Sequence, residues 1–357
     1  MDAMVEDLGG SPELFPYMLD LPSDSVLFLR LKRTDYERAS FLDARVHTPQ
    51  VPSHALSWRQ VAAAIEAAGL TERCGFIFHI GHVGSTLLSR LIGAHSRAFS
   101  LREPVILRTF AQLSSDLEVR PHLFRKEDLD ARLTGCLKLL SRTFETRQLP
   151  VIKATSFVSE LATSLLSRAS TPKAVMMFVS PESYIATILG GPNSRQEAKM
   201  LAPSRLLRLH RRIGAEAWQL ASLSEGEVLA LSWACEMSAL THAAHAGGGR
   251  VFRVDFDRFL EGPAALLSSV LRHFGIDGAA DAETSNEVRA IVEGPDMGRY
   301  SKSPEHAYDA ALRRDVLNAA RAAHGDEIRR GLTWLDRAAK QFPAVRDALT
   351  FVEWRPV

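Results

Sequence analysis

Residues 76–90 read FIFHIGHVGSTLLSR, and this stretch limits the possible folds more than any other. Phe76–Ile80 is an almost continuous apolar run of strand length, the pattern of a parallel strand buried on both faces. It passes directly into GHVGST, and LLSRLIGAH then spaces its apolar residues as a helix does. The alternation recurs downstream. Pro150–Ile152 predicts a short strand, followed by KATSF and a helix over Val158–Ser167. Lys173–Val179 (KAVMMFV) is the clearest strand, followed by SPES and a helix over Tyr184–Leu189. Arg250–Val254 and Pro263–Phe274 repeat the pair. Strands alternating with helices predict an α/β fold, with a central parallel sheet of about four or five strands and helices on both faces. Phe76–Ile80 and Lys173–Val179 are expected to lie adjacent or nearly so.

The remainder is organised around this unit. Residues 1–70 read as an N-terminal extension, partly helical and packed on the core. It holds one apolar run, Ser25–Leu31, and a helix over Trp58–Ala68 that stops at Gly69, a plausible terminating glycine. Residues 71–357 then form the main domain, with helical insertions near 123–147 and 204–245. At 46% hydrophobic and 24% charged residues over 357 positions, the chain has the composition of a folded protein with a full core. A formal net charge of +1 gives no bulk attraction to a nucleic acid. Three scattered cysteines, Cys74, Cys136 and Cys235, form no disulfide framework or structural zinc motif. The acidic start lacks a basic segment followed by an apolar one, and no apolar run is long enough to span a bilayer. The expected setting is cytoplasmic, with no membrane and no nucleic-acid partner; oligomeric state is not set by the sequence.

A glycine loop between a buried strand and a helix creates a concave set of backbone N–H groups at the positive end of the helix dipole, which suits a phosphate. Ser85 and Thr86 add two hydroxyls there. The loop is not a Walker A motif, since no lysine precedes the hydroxyls; serving only as a turn is the alternative reading.

The segment resembles the 5′-phosphosulfate loop of sulfotransferases that use 3′-phosphoadenosine 5′-phosphosulfate (PAPS). Gly81, His82, Val83, Gly84, Ser85 and Thr86 occupy its positions in order, with Gly81 where proline is usual and His82 where that family has a lysine or arginine. The resemblance runs from about Phe76 to Pro304, roughly two thirds of the chain. SLREPVILR resembles the region of protein-tyrosine sulfotransferases that holds an arginine and the general base, matching Arg102 and Glu103. PVIKATSF matches a strand ending in lysine at Lys153. KAVMMFVSPESYIAT resembles the strand, turn and helix that hold the 3′-phosphate. There Pro181 matches, Thr187 falls where the family has serine, and Val179 falls where it has arginine. RYSKSPE resembles a Ser-Lys segment near the active site, matching Ser301 and Lys302.

The resemblance implies a P-loop sulfotransferase-like fold and transfer of a sulfuryl group from PAPS, as co-substrate, to a hydroxyl or phenol of a small molecule or peptide. It implies Glu103, His82, Lys153 and Ser301 as catalytic residues. It implies the loop residues with Ser180, Thr187 and Lys302 as the PAPS site, with Arg195 as a candidate substitute for the arginine replaced by Val179. Lys153 also has support from the residues themselves, because the end of a parallel strand points into the crevice where open α/β sheets bind ligands. Glu103 could instead pair structurally with Arg102 or Arg108.

No metal is expected. His79, His210, His242 and His245 lack the carboxylate or cysteine companions of a metal site. Arg205, Arg208, Arg211 and Arg212 read as a solvated basic helix face. The alternatives are a non-catalytic sulfotransferase-fold binding protein and a P-loop kinase in which Asp255 would hold Mg²⁺.

Overall fold

The structure is a computed structural model that describes residues 3–120, 125–276, 282–297 and 309–353. Its centre is a parallel sheet of β4 (Gly75–His79), β5 (Ala98–Arg102), β6 (Leu149–Lys153), β7 (Ala174–Phe178) and β8 (Val251–Asp255), in the order β5-β6-β4-β7-β8. The two apolar runs read as strands pair side by side, Phe76 opposite Ala174 and His79 opposite Met177. Every residue of β4, β5 and β7 is buried, which is why these runs lack polar alternation. From β4 the chain travels to the edge at β5, returns through β6, and then crosses to the other side for β7 and β8. The strand order therefore reverses around β4, the place where open α/β sheets form their ligand crevice.

The N-terminal extension carries more structure than its sequence suggests. β1 (Leu14–Asp20), β2 (Ser25–Arg30) and β3 (Ser53–Ser57) form an antiparallel sheet. Only β2 has a legible pattern. β1 contains Pro16 and an irregular register there, and four of the five residues of β3 are exposed. Pairing with β2, rather than their own side chains, makes strands of both. Two buried arginines dock this sheet and its neighbours on the main domain. Arg142 donates to the carbonyls of Leu8, Ser11 and Leu14. Arg102 donates to those of Tyr36, Glu37 and Ala39, at the end of the helix Arg33–Arg38.

Other elements depart from expectation for local reasons. The helix expected over Val158–Ser167 begins as a tighter 3₁₀ segment, Ser156–Leu161, and is α-helical only over Ala162–Leu166. The second insertion is two helices, Pro192–Ile213 and Glu225–Gly247, because Gly214 ends the first in a left-handed conformation and Ser224 caps the second. In the first insertion the described residues hold one helix, Lys126–Leu140. The sequence reading singled out no helix after Pro304; the structure has Ala310–Gln341 and Pro343–Glu353. Among the described residues no helix is long and apolar enough to cross a membrane.

Candidate active site

The loop after β4 is built from left-handed residues. Gly81, His82 and Gly84 have φ of 83°, 54° and 63°. Glycine adopts this conformation at little cost; histidine does so under strain. Gly84 is also required by space, since a Cβ there would run into the ring of Phe256. Gly84 caps the helix Ser85–Gly93 without a side chain. The first-turn N–H groups at Ser85 and Thr86, which a helix leaves without intrahelical acceptors, therefore face out from the helix start.

Glu103 follows β5, next to β6, and is a second strained residue, with φ of 54°. Its backbone N–H donates to the carbonyl of Lys153 at 2.6 Å. Its side-chain Oε1 accepts from Lys153 Nζ, closing an ion pair. Lys153 is 1% exposed and its ammonium lies 5.1 Å from the Phe41 ring centroid. Burial depresses its pKa below the usual lysine value, against the opposing pull of Glu103. Thus Glu103 and Lys153 converge as expected, and the partner of Glu103 is the lysine rather than Arg102 or Arg108.

His79, the last residue of β4, completes this group. Its Nδ1 accepts the N–H of Gly81 at 3.0 Å, which leaves the ring proton on Nε2. Nε2 stands 3.9 Å from Glu103 Oε1. Burial first, and then the charge of Lys153, holds the His79 pKa well below its usual value, so the ring is neutral near pH 7. His82 also has neighbours from the helix Pro192–Ile213. Its Nδ1 is 3.5 Å from Ser194 Oγ and its Nε2 is 3.6 Å from Glu197 Oε2.

At the end of β7, Ser180 caps the helix Pro181–Leu189 by accepting the N–H of Ser183 at 3.2 Å. Val179 is buried, and its carbonyl accepts the Trp233 indole N–H. Thr187 Oγ1 donates to the Ser183 carbonyl at 2.6 Å and accepts from Arg313 Nη1 at 3.0 Å. Arg195, the candidate substitute arginine, is held by both oxygens of Glu225, at 3.0 and 2.5 Å. Asp255 caps the helix Phe256–Glu261, accepting the N–H groups of Asp257 and Arg258, and burial raises its pKa. Ser301 and Lys302 lie outside the described residues.

No family model matches this sequence, and no curated protein does. Solved structures similar to the chain include the sulfotransferase domain from the curacin biosynthetic pathway, 15% identical over 75% of this chain and 98% of that one, TM-score 0.39. A sulfotransferase from Mycobacterium avium is 13% identical over 74% and 81%, TM-score 0.38. The sulfotransferase domain of the Synechococcus PCC 7002 olefin synthase is 14% identical over 74% and 95%, TM-score 0.41. These similar structures are all sulfotransferases. What the site can do chemically is carried by its own residues.

Several of those residues have no sequence signal. Phe41 comes from the N-terminal extension, as does Arg45, whose guanidinium carbon lies 4.0 Å from the Phe41 ring centroid. Leu42 N–H donates to the Arg102 carbonyl at 2.6 Å, and the Leu42 carbonyl accepts from Val105 at 3.2 Å. This lays the 41–45 segment beside the turn that carries Glu103. His79 reads as an ordinary core histidine in isolation. The basic face of the helix Pro192–Ile213 is also a correction. Arg205 and Arg208 are 4% and 6% exposed and pair with the buried Glu236, while Arg208 and Arg212 pair with Glu160. These charges hold helices together. Among the described residues no group of three or more histidine, cysteine or acidic side chains comes together as a metal site would require.

Proposed function

We propose that the protein transfers a sulfuryl group from PAPS to a hydroxyl or phenol of a small molecule or peptide. The observation that carries this reading is the meeting of three things at neighbouring strand ends: an anion-suited loop, a carboxylate and a buried ammonium. The loop N–H groups and the hydroxyls of Ser85 and Thr86 would hold the 5′-phosphosulfate. PAPS supplies an activated sulfuryl group whose leaving group is a phosphate.

The acceptor oxygen bonds to sulfur as the sulfur–oxygen bond to the 5′-phosphate breaks. Glu103 takes the acceptor proton at Oε2, since Lys153 holds Oε1. Proton transfer neutralises Glu103 and leaves the Lys153 ammonium without its counter-charge. That ammonium then offsets the charge appearing on the released phosphate. His82, beside Ser194 and Glu197, is the loop side chain that would donate to the bound phosphosulfate. Ser180 is a helix cap, so its share in binding is through the turn it stabilises. The capped state of Asp255 and the missing loop lysine speak against a Mg²⁺-dependent kinase. A non-catalytic binding role has one observation in its favour, the closed Glu103–Lys153 pair.

Calorimetry with 3′-phosphoadenosine 5′-phosphate tests the reading. Binding is expected without Mg²⁺, and Ser85→Ala with Thr86→Ala should weaken it at least about tenfold, or about 1.4 kcal/mol. Absence of binding by the intact protein overturns the proposal. Glu103→Gln should lower turnover by about 10²–10⁴-fold with affinity for the nucleotide little changed. A variant that binds the nucleotide and keeps full turnover on an identified acceptor would assign the base elsewhere.

A further inference from the structure

His79 closes β4 with its ring between the anion-suited loop and Glu103, and it is 5% exposed. On one edge, Nδ1 accepts the Gly81 N–H at 3.0 Å, which pins the loop at its first left-handed residue. That bond fixes the tautomer, so the other edge presents Nε2–H. Nε2 is buried, and among the described residues no acceptor meets it at hydrogen-bond geometry. Two oxygens lie near it. The Ala154 carbonyl favours protonation of the ring, and Glu103 Oε1 stands 3.9 Å away. Closing that second gap to a hydrogen bond takes a movement of about 1 Å.

A buried N–H without an acceptor is costly, so this donor is drawn to an oxygen that comes free. Oε1 is occupied by the Lys153 ammonium. In the reaction proposed above that ammonium serves twice: it holds the carboxylate beforehand and offsets the released phosphate afterwards. When it leans to the phosphate, Oε1 loses that donor. The His79 N–H faces the same oxygen and carries no charge. An ammonium holds a carboxylate in its ionised form and weakens it as a base; a neutral N–H orients it with less of that effect. The ring does not compete for the acceptor proton, because burial, and then the charge of Lys153, keeps its own pKa well down. Around the pair stand Lys153 from β6, His82 from the loop and Arg45 from the 41–45 segment.

We propose that His79 is a positioning residue that ties the loop to the base. Nδ1 holds Gly81, and Nε2–H takes over Oε1 of Glu103 when Lys153 turns to the phosphate, which keeps Oε2 toward the acceptor. This rests on the reading of Glu103 as the base and of the loop as the phosphosulfate site.

The test is NMR of the protein carrying isotope-labelled histidine, with the His79 signals assigned by their loss in His79→Asn. Adding 3′-phosphoadenosine 5′-phosphate, which carries the phosphate that Lys153 would meet, should move the His79 Nε2–H proton downfield. Lys153→Met should do the same without nucleotide, since it vacates Oε1, and should raise the pH at which the ring takes its proton. Adding Glu103→Ala to Lys153→Met leaves no buried charge unpaired and should abolish the shift. Calorimetry with the same nucleotide divides the two edges of the ring. His79→Asn keeps an acceptor for Gly81 and should bind within about twofold of the intact protein. His79→Gln reaches toward Glu103 but abandons Gly81, and should bind about fivefold more weakly. A resonance unmoved in the complex or in Lys153→Met, or one that still moves in the double variant, overturns the alignment of Glu103. Equal affinities of the two His79 variants overturn the hold on the loop. A protein that does not bind the nucleotide overturns the loop reading, and the Lys153→Met spectra still decide the His79–Glu103 bond.

Discussion

Glu103→Gln leaves the Lys153 ammonium buried without its counter-charge, and the cost can be worked from the geometry. Lys153 is 1% exposed, its side chain is enclosed, and the carboxylate it bonds is 16% exposed. Removing one partner of a buried ion pair costs about 3–5 kcal/mol. The partial exposure of Glu103 and the acceptor oxygen that glutamine retains put this site at the lower end, about 3 kcal/mol, or a fall in melting temperature of about 5 °C. Lys153→Met should cost less, because the stranded carboxylate can reach water. The double variant should cost less than the sum of the two, with a coupling of about 2 kcal/mol, since replacing both partners leaves no buried charge unpaired.

The alkaline limb carries a sign that can be checked. The folded-state pKa of Lys153 lies below its unfolded value, so between the two the unfolded chain binds the extra proton and stability rises with pH. Without Glu103 that pKa falls further and the rise begins at lower pH, so the penalty of Glu103→Gln shrinks as pH increases above neutrality. Urea titrations of the four proteins between pH 7 and 10 read both effects. Additive single-variant costs, or a penalty that grows with pH, would refute the paired-charge argument.

Three further outcomes are expected. Gly84→Ala should destabilise by about 2–4 kcal/mol, from the left-handed backbone and the Phe256 ring together, and should abolish nucleotide binding; urea denaturation and calorimetry check the two parts. Because His79 stays neutral when folded but takes a proton near pH 6.5 when unfolded, stability should fall as pH drops below about 6.5, by up to about 1.4 kcal/mol per unit. His79→Asn, whose Oδ1 matches the Nδ1 position and can still accept the Gly81 N–H, should flatten that slope in melts between pH 7 and 5. Arg195→Ala should leave affinity for 3′-phosphoadenosine 5′-phosphate within about twofold, since Glu225 already engages the guanidinium; a larger loss would return Arg195 to the site.

What local chemistry alone dictates was legible in the chain. β4 and β7 declare themselves because a strand buried on both faces must be apolar at nearly every position, His79 at the end of β4 being the exception. The helix Pro263–Phe274 appears with its bounds as read, because a proline starts it and Gly275, at φ of 75°, ends it. The glycines of the loop mark where left-handed backbone is needed, and the placement of Lys153 at a strand end follows from the βα alternation. Tertiary structure decided which charges meet. Glu103 and Lys153 are 50 residues apart and Arg313 and Thr187 are 126 apart. A charged side chain carries no local signal of whether it will face water or a partner. Arg205, Arg208 and Arg212 look solvated by helical spacing; the first two are buried and the third half-buried because Glu160 and Glu236 arrive from other elements. Arg195 and Arg313 are chemically alike in sequence; only the packing of helices on the sheet gives one to Glu225 and sets the other beside Thr187. Desolvation makes such a charge costly unless a partner meets it, and where that partner lies is a property of the folded chain.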